Sequence, residues 1–200
     1  MTRSQILDAA RGRFARNGYT ETSLKEIAAD VGIKAPSIYA HFSNKEELYV
    51  EVYTRSIDEH RDYFTRLLAD SRELDPLERL HKILTGVPAF YQERPELLDF
   101  HLRSIVGGTP AGTDPAGAFR RWDEELAETI RATYLEGQDS GSFARVDPDA
   151  FTAHFTCLMD GLFIQLKHYD PASYQEHLTR TWTLLSTALG SGNRDQENPA

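Results

Sequence analysis

The amino-acid sequence predicts an all-α protein of about nine helices, on three observations. Apolar residues recur at helical spacing in one segment after another, and no convincing run of strand-type alternation is present. Glycines stand where these stripes stop, at Gly18, Gly32 and Gly137. Asp147-Pro148 and Asp170-Pro171 each read as an N-cap followed by proline at the first helical position, where a missing N–H costs little. Apolar residues make up 40% of the 200-residue chain and charged residues 26%, which suits a globular chain that can bury a real core.

In chain order, Ile6, Ala10 and Phe14, with Leu7 beside them, mark a first helix that Asn17-Gly18 ends. Ser23 with Glu26 three residues on is a capping-box pattern. It opens a short helix carrying Leu24, Ile27, Ala28 and Val31, which Gly32 ends. A third helix is expected from Ala35 to His41, with Pro36 in its first turn. Ser43 and Glu46 form a second capping-box pair ahead of a long helix through Leu48, Val52, Ile57, Phe64 and Leu68. Beyond Asp75-Pro76, one stripe holds Leu77, Leu80, Ile83, Leu84 and Val87, and another Leu97, Leu98, Leu102, Ile105 and Val106. Residues 107–117, rich in glycine and proline, read as a loop. Trp122, Leu126, Ile130 and Thr133 follow as a helix face ended by Gly137. Phe151, Phe155, Leu158 and Leu162 mark the next helix, and Tyr174, Leu178, Trp182, Leu185 and Leu189 the last. The stretch 191–200 has nothing to bury and is expected to be disordered.

Net charge is −9, but residues 1–45 carry +3 and residues 46–200 carry −12. A basic end on an acidic body points to an anionic partner for that end. Two short helices joined by a tight glycine turn in the same segment are a helix-turn-helix candidate. In such a unit the second helix lies in the major groove. Ile38 and Phe42, four apart, face the core with Ile33. Lys34, Ala35, Pro36, Ser37, Tyr39 and His41 then face outward. Lys34 suits phosphate or guanine, Ser37 a base edge or phosphate, and the Tyr39 hydroxyl a phosphate. Lys45, in the first turn of the next helix, opposes the helix dipole, a conflict that a bound phosphate would remove.

The run Gly18-Tyr19-Thr20-Glu21-Thr22-Ser23-Leu24-Lys25-Glu26-Ile27-Ala28-Ala29-Asp30-Val31-Gly32, followed by Ser37-Ile38-Tyr39-Ala40-His41-Phe42-Ser43-Asn44-Lys45-Glu46-Glu47-Leu48, resembles the N-terminal domain of TetR-family transcriptional regulators. The resemblance implies a three-helix DNA-binding unit on an all-helical, dimeric ligand-binding domain. The division expected is 1–46 for DNA binding, 47–190 for ligand binding and dimerisation, and 191–200 as a tail. It also implies that Ser23 caps the second helix beside a phosphate and that Thr22 and Lys25 lie near the DNA backbone. Ser37, Tyr39 and His41 would take recognition-helix positions and Lys45 a phosphate contact. Many members have Ser-Lys-Gly before position 37, whereas this chain has Lys34-Ala35-Pro36, so its base readout is expected to differ.

The C-terminal part is dense in aromatic and histidine residues. Phe100, His101, Trp122, Phe151, His154 and Phe155 are the candidate lining of a small-molecule pocket, taking an apolar or aromatic effector. No nucleophile elbow, phosphate-cradling loop or metal-ligand spacing is present, so no catalytic residue, metal or cofactor is expected. Cys157 is expected to be a buried, inert thiol, and with Gly161 it makes a small-residue ridge suited to close helix packing, within the chain or in a dimer. A single cysteine excludes a disulfide framework and fits a reducing cytosol. No apolar run reaches the roughly 18 residues of a membrane span, so a cytoplasmic protein is expected. The sequence therefore points to a homodimeric repressor that a small molecule releases from a pseudo-palindromic operator. An activator of the same fold, and a helical ligand-binding or enzymatic protein without DNA binding, are the alternatives.

Overall fold

The computed structural model describes residues 2–106, 109–110 and 115–190. Among them there are eight α-helices, one 3-10 helix and no strand. The helices are α1 (Arg3–Glu21), α2 (Leu24–Asp30), the 3-10 helix (Ala35–Ala40), α3 (Lys45–Ala69), α4 (Pro76–Gln92), α5 (Pro95–Val106), α6 (Pro115–Asp139), α7 (Pro148–His168) and α8 (Pro171–Gly190). The chain forms two compact units, one of Met1–Asp62 with Glu93–Arg121, the other of Tyr63–Gln92 with Trp122–Ala200. The expected tail 191–200 and most of the expected loop 107–117 lie outside the described residues, and α6 begins inside that loop, at Pro115.

In the first unit, α1 starts one turn ahead of its apolar stripe. Thr2 and Gln5 form a capping box, with the Thr2 N–H donating to Gln5 Oε1 at 2.9 Å. Gly18 breaks the helix at φ 78°, a left-handed conformation that glycine adopts without a Cβ penalty. Ile6, Leu7, Ala10 and Phe14 are buried, as their spacing predicts. α5 packs against α1, and the Arg103 guanidinium donates to the Ala15 carbonyl at 2.6 Å. Phe14 and Tyr49 meet edge to face, with ring centres 5.0 Å apart, and Phe100 closes on Tyr49 at 5.8 Å. The α5 stripe is narrower than expected: Leu97 and Leu98 are buried, but Ile105 is exposed.

In the second unit, α4 packs on α7 and α8. Trp122, Leu126, Ile130 and Thr133 are all buried on α6, and Phe64 meets Trp122 at 5.4 Å. Tyr134 stacks on Phe151 at 3.9 Å, and its hydroxyl donates to the Ala144 carbonyl at 2.8 Å. Asp75, Asp147 and Asp170 each accept backbone N–H groups of the helix that follows. Gly137 does not end α6, which continues to Asp139. It is required because the Phe143 ring lies where a Cβ would stand, at 2.0–2.7 Å from that position. Cys157 is exposed, contrary to expectation. Phe155, Met159 and Leu162 make the inward face of α7, and position 157 falls on the opposite side of the helix.

Candidate nucleic-acid interface

The head is assembled from local signals that satisfy one another. Ser23 caps α2: its side chain accepts from the Glu26 N–H at 3.3 Å, and Glu26 Oε2 accepts from the Ser23 N–H at 2.9 Å. The Ser23 hydroxyl, which donates to Glu26 Oε2 at 2.7 Å, and then the Ser23 N–H hold the Glu26 carboxyl below the usual range. α2 ends in a Schellman motif, with Gly32 at φ 72°. The Gly32 N–H bonds to Ala29 O at 3.1 Å and the Ile33 N–H to Ala28 O at 2.9 Å. Arg13 of α1 clamps α2 through a two-point bond to Asp30, at 2.5 and 2.6 Å, which lowers the Asp30 carboxyl.

This turn delivers the 3-10 helix. Ile38 and Phe42 are buried and anchor it, whereas Lys34, Pro36, Ser37, Tyr39, Ala40 and His41 are exposed and Ala35 is half-buried. Tyr39 is 58% exposed, an unusual position for a large aromatic ring on a chain that buries most of its others. The expected α-helix is thus a six-residue 3-10 helix whose N-cap, Lys34, makes no side-chain capping bond. Its outward row is the one the 38/42 spacing selects.

Three expected contact residues sit differently from the rest. Thr22 is 1% exposed, and its hydroxyl donates into α1, to Gly18 O at 2.8 Å and Arg13 O at 3.3 Å. Ser23 is exposed but committed to its cap. Lys45, half-buried, turns its ammonium back onto the end of α1. It donates to the carbonyls of Tyr19 (2.8 Å), Thr20 (3.3 Å) and Thr22 (2.9 Å) and lies 4.3 Å from the Tyr19 ring centre. The conflict between Lys45 and the α3 dipole is therefore offset inside the chain, by carbonyls at a helix C-terminus that attract cations. Lys25 and Lys34 are exposed and form no ion pair among the described residues. The capping box expected from Ser43 and Glu46 is displaced by one residue. Asn44 accepts from the Glu47 N–H at 2.7 Å, and the Ser43 N–H donates to Glu47 at 2.6 Å, which lowers that carboxyl.

The six candidate pocket residues are divided between the two units. Phe100 and His101 belong to the first unit, and Trp122, Phe151, His154 and Phe155 to the second. His101 is buried beside His60, ring centres 6.4 Å apart. Burial pushes both down to about 3, with His101 also acting on His60 and Arg11 on His101. Phe155 and Trp122 are core. Within the second unit, Phe151 and His154 meet in a cavity, an apolar cleft of about 530 Å³ between the end of α6, α7 and α8. Tyr134, Val146, Leu158, Leu184 and Leu185 line it too, and no spacing rule pointed to them jointly, because they come from three helices and a loop. No group of three or more metal-ligating side chains occurs among the described residues. No described helix is long and apolar enough to cross a membrane.

Comparison with known proteins bears on this geometry. The family described as bacterial regulatory proteins, tetR family, matches residues 6–52, the span from α1 into α3. The transcriptional regulator TtgR of Pseudomonas putida is 38% identical over 86 residues, covering 43% of this chain and 40% of TtgR. The chain thus matches less than half the length of that relative. A TetR/AcrR-family regulator from Thermobifida fusca shares the fold over 92% of this chain and 96% of its own, at 26% identity and a TM-score of 0.67. AibR, whose structure contains isovaleryl coenzyme A and operator DNA, does so over 90% and 95%, at 17% identity and a TM-score of 0.69.

Proposed function

The chain belongs to the TetR family of bacterial regulatory proteins, and on that premise we propose that it is a homodimeric, ligand-responsive DNA-binding regulator of transcription, acting as a repressor. One observation carries the reading. A short helix anchored by Ile38 and Phe42 turns Lys34, Pro36, Ser37, Tyr39 and His41 outward. Packing within the chain gives this row no reason to be arranged so, whereas a major groove does. In this reading residues 1–46 bind DNA, 47–190 bind effector and partner subunit, and Lys25 and Lys34 supply phosphate contacts.

Dimerisation is assigned to α7 and α8. Leu184 is 75% exposed and Ile164 is exposed too, and the apolar cleft opens between the same helices. Large exposed apolar side chains beside an apolar cleft mark a surface that a partner covers. The effector is a small apolar or aromatic molecule of the class the C-terminal unit's lining suits, and it releases DNA only by as much as it binds the two states unequally. AibR, which shares the fold, has been captured with an acyl coenzyme A and operator DNA in one structure, so one chain of this fold can hold both kinds of partner. The protein works beside the chromosome, in the cytoplasm, and carries out no reaction of its own.

The test is anisotropy on DNA from just upstream of its own gene, at two salt concentrations. Specific binding that weakens with salt and with Tyr39→Ala is the expected result. Equal binding to random DNA, on that fragment and on others from the genome, would overturn the reading.

A further inference from the structure

We propose that the apolar cleft between the end of α6, α7 and α8 binds a neutral, ring-bearing small molecule with a single hydrogen-bonding group. This deepens the proposed function, on which it rests only for the molecule's role as effector, by giving the effector a seat and a chemical class. Every lining residue belongs to the second unit. The walls are fixed by bonds within the chain. Tyr134 stacks on Phe151 at 3.9 Å, with the rings 11° from parallel, and Phe143 stacks on Tyr134 at 5.7 Å and 20°. Gly137 leaves the room that the Phe143 ring takes up. The loop after α6 is tied down on both sides: the Ala144 N–H donates to Leu189 O at 2.8 Å, and the Gln138 amide donates to Val146 O at 2.9 Å. The cleft therefore has its shape before any ligand arrives, as small-molecule sites usually do.

The chemistry of the lining selects the occupant. Among the described residues no lysine, arginine, aspartate or glutamate lines the cleft, so a charged group there would lose water and meet no opposite charge. The Tyr134 hydroxyl is already used: it donates to Ala144 O at 2.8 Å and accepts from the Val146 N–H at 3.2 Å. His154 and Thr181 are the other polar side chains of the lining, enough for one hydroxyl, carbonyl or N–H of a ligand. The Tyr134 and Phe151 rings favour an aromatic body over a plain chain. The volume, about 530 Å³, falls in the range of about 300–1,000 Å³ that holds drug-sized molecules. A second copy laid on α7 and α8 covers the opening, where Leu184 is 75% and Val146 53% exposed. It does not fill the space by itself: a void of roughly 150 Å³ already holds benzene, so one inserted aliphatic side chain would leave most of the cleft without contacts. A molecule that fills the cleft is thus buried at the face assigned to the partner subunit, where it acts on how the two copies meet.

The probe is N-phenyl-1-naphthylamine, a neutral aromatic molecule with one N–H whose fluorescence rises in apolar surroundings. The full chain is expected to bind it saturably, one probe per chain, and to melt at a temperature that rises with probe concentration. Ala150→Phe and Ala188→Phe change exposed positions of the lining. Each, checked for an unchanged melting temperature and dimer, is expected to bind the probe about tenfold or more weakly, the cost of overpacking the site. His154→Leu is expected to lose about fivefold, the worth of one neutral hydrogen bond, and His154→Gln to recover most of it. Saturable binding that both alanine variants leave intact would put the probe elsewhere and overturn the inference. No saturable binding would overturn it too, and alanine variants that then turn monomeric would show that a second copy fills the cleft. Equal binding in both His154 variants and the wild type would overturn the assigned hydrogen-bonding group. Anisotropy on the operator without probe tells the two readings apart. Operator binding that persists where the probe fails removes this inference alone, and a probe bound in the cleft of a chain that binds no operator removes the regulator reading alone.

Discussion

Lys45 separates two uses of one charge. As a phosphate contact, its removal weakens DNA binding and lowers the salt dependence by about one unit per subunit, without touching stability. As a clamp on the end of α1, it does the reverse. Its ammonium holds the carbonyls of Tyr19 and Thr22 at 2.8 and 2.9 Å and a more exposed bond to Thr20 at 3.3 Å. Hydrogen bonds to a charged group contribute about 1.5–3 kcal/mol when well buried. Two half-buried bonds at the low end, with a cation–π contact of about 0.5–1 kcal/mol, set a gross stabilisation near 4 kcal/mol. Holding the lysine side chain in one conformation offsets up to about 2 kcal/mol of this. Lys45→Met is therefore expected to destabilise the protein by roughly 2 kcal/mol, about 4–8 °C in Tm for a chain of this size. Urea unfolding and a thermal melt at fixed protein concentration give the stability, and anisotropy on the operator at several salt concentrations gives the slope. An unchanged melt together with a salt slope reduced by about two units for the dimer, one per subunit, would refute the clamp.

The other expectations concern the rest of the molecule. His60 and His101 titrate near 3 in the folded chain against 6.5 when exposed, so below about pH 6.5 the unfolded state binds the extra protons. Stability is then flat above that pH and falls as the pH drops toward 3, and the fall between pH 6.5 and 5, before most carboxylates titrate, is expected to shrink in His101→Phe when urea unfolding is compared across pH. Gly137→Ala would place a methyl about 2.0 Å from Phe143, a ring packed against its own helix. A loss of about 2–4 kcal/mol in chemical unfolding is expected, and a loss under 1 kcal/mol would mean the ring moves aside freely. Leu184→Glu sets a charge on the exposed apolar face of α8. Light scattering should find the wild type dimeric and the variant monomeric at micromolar concentration, with operator affinity lost in parallel.

What was legible in the sequence was whatever a few adjacent residues decide by themselves. The Ser23–Glu26 box, the Gly32 stop and the Asp–Pro starts of α7 and α8 each close their hydrogen bonds within five residues, so their spacing carried the answer. The outward row on the recognition helix followed from Ile38 and Phe42 alone. Where two local solutions competed, the pattern misplaced one. Ser43-Asn44 before Glu46-Glu47 offers two capping registers, and Asn44 with Glu47 is the one formed. Gly137 looked like a stop because the reason for it, the Phe143 ring, returns from beyond the end of the helix.

The carbonyls that hold Lys45 lie more than twenty residues back, and Thr22 turns its hydroxyl onto the helix it ends, so neither use was legible from residue type and spacing. A lysine in the first turn of a helix, four residues after a recognition element, suggests a phosphate ligand. The same charge next to the frayed carbonyls of α1 suits a cap equally well. Choosing between them needs the position of α1 relative to α3, which is a matter of packing. The consequence for recognition is physical. Thr22 and Lys45 are turned inward, whereas Lys25 and Lys34 are exposed. Fewer phosphate contacts mean a smaller sequence-independent component of binding. In the proposed reading, more of the discrimination between operator and bulk DNA then comes from the outward row of proline, serine, tyrosine and histidine.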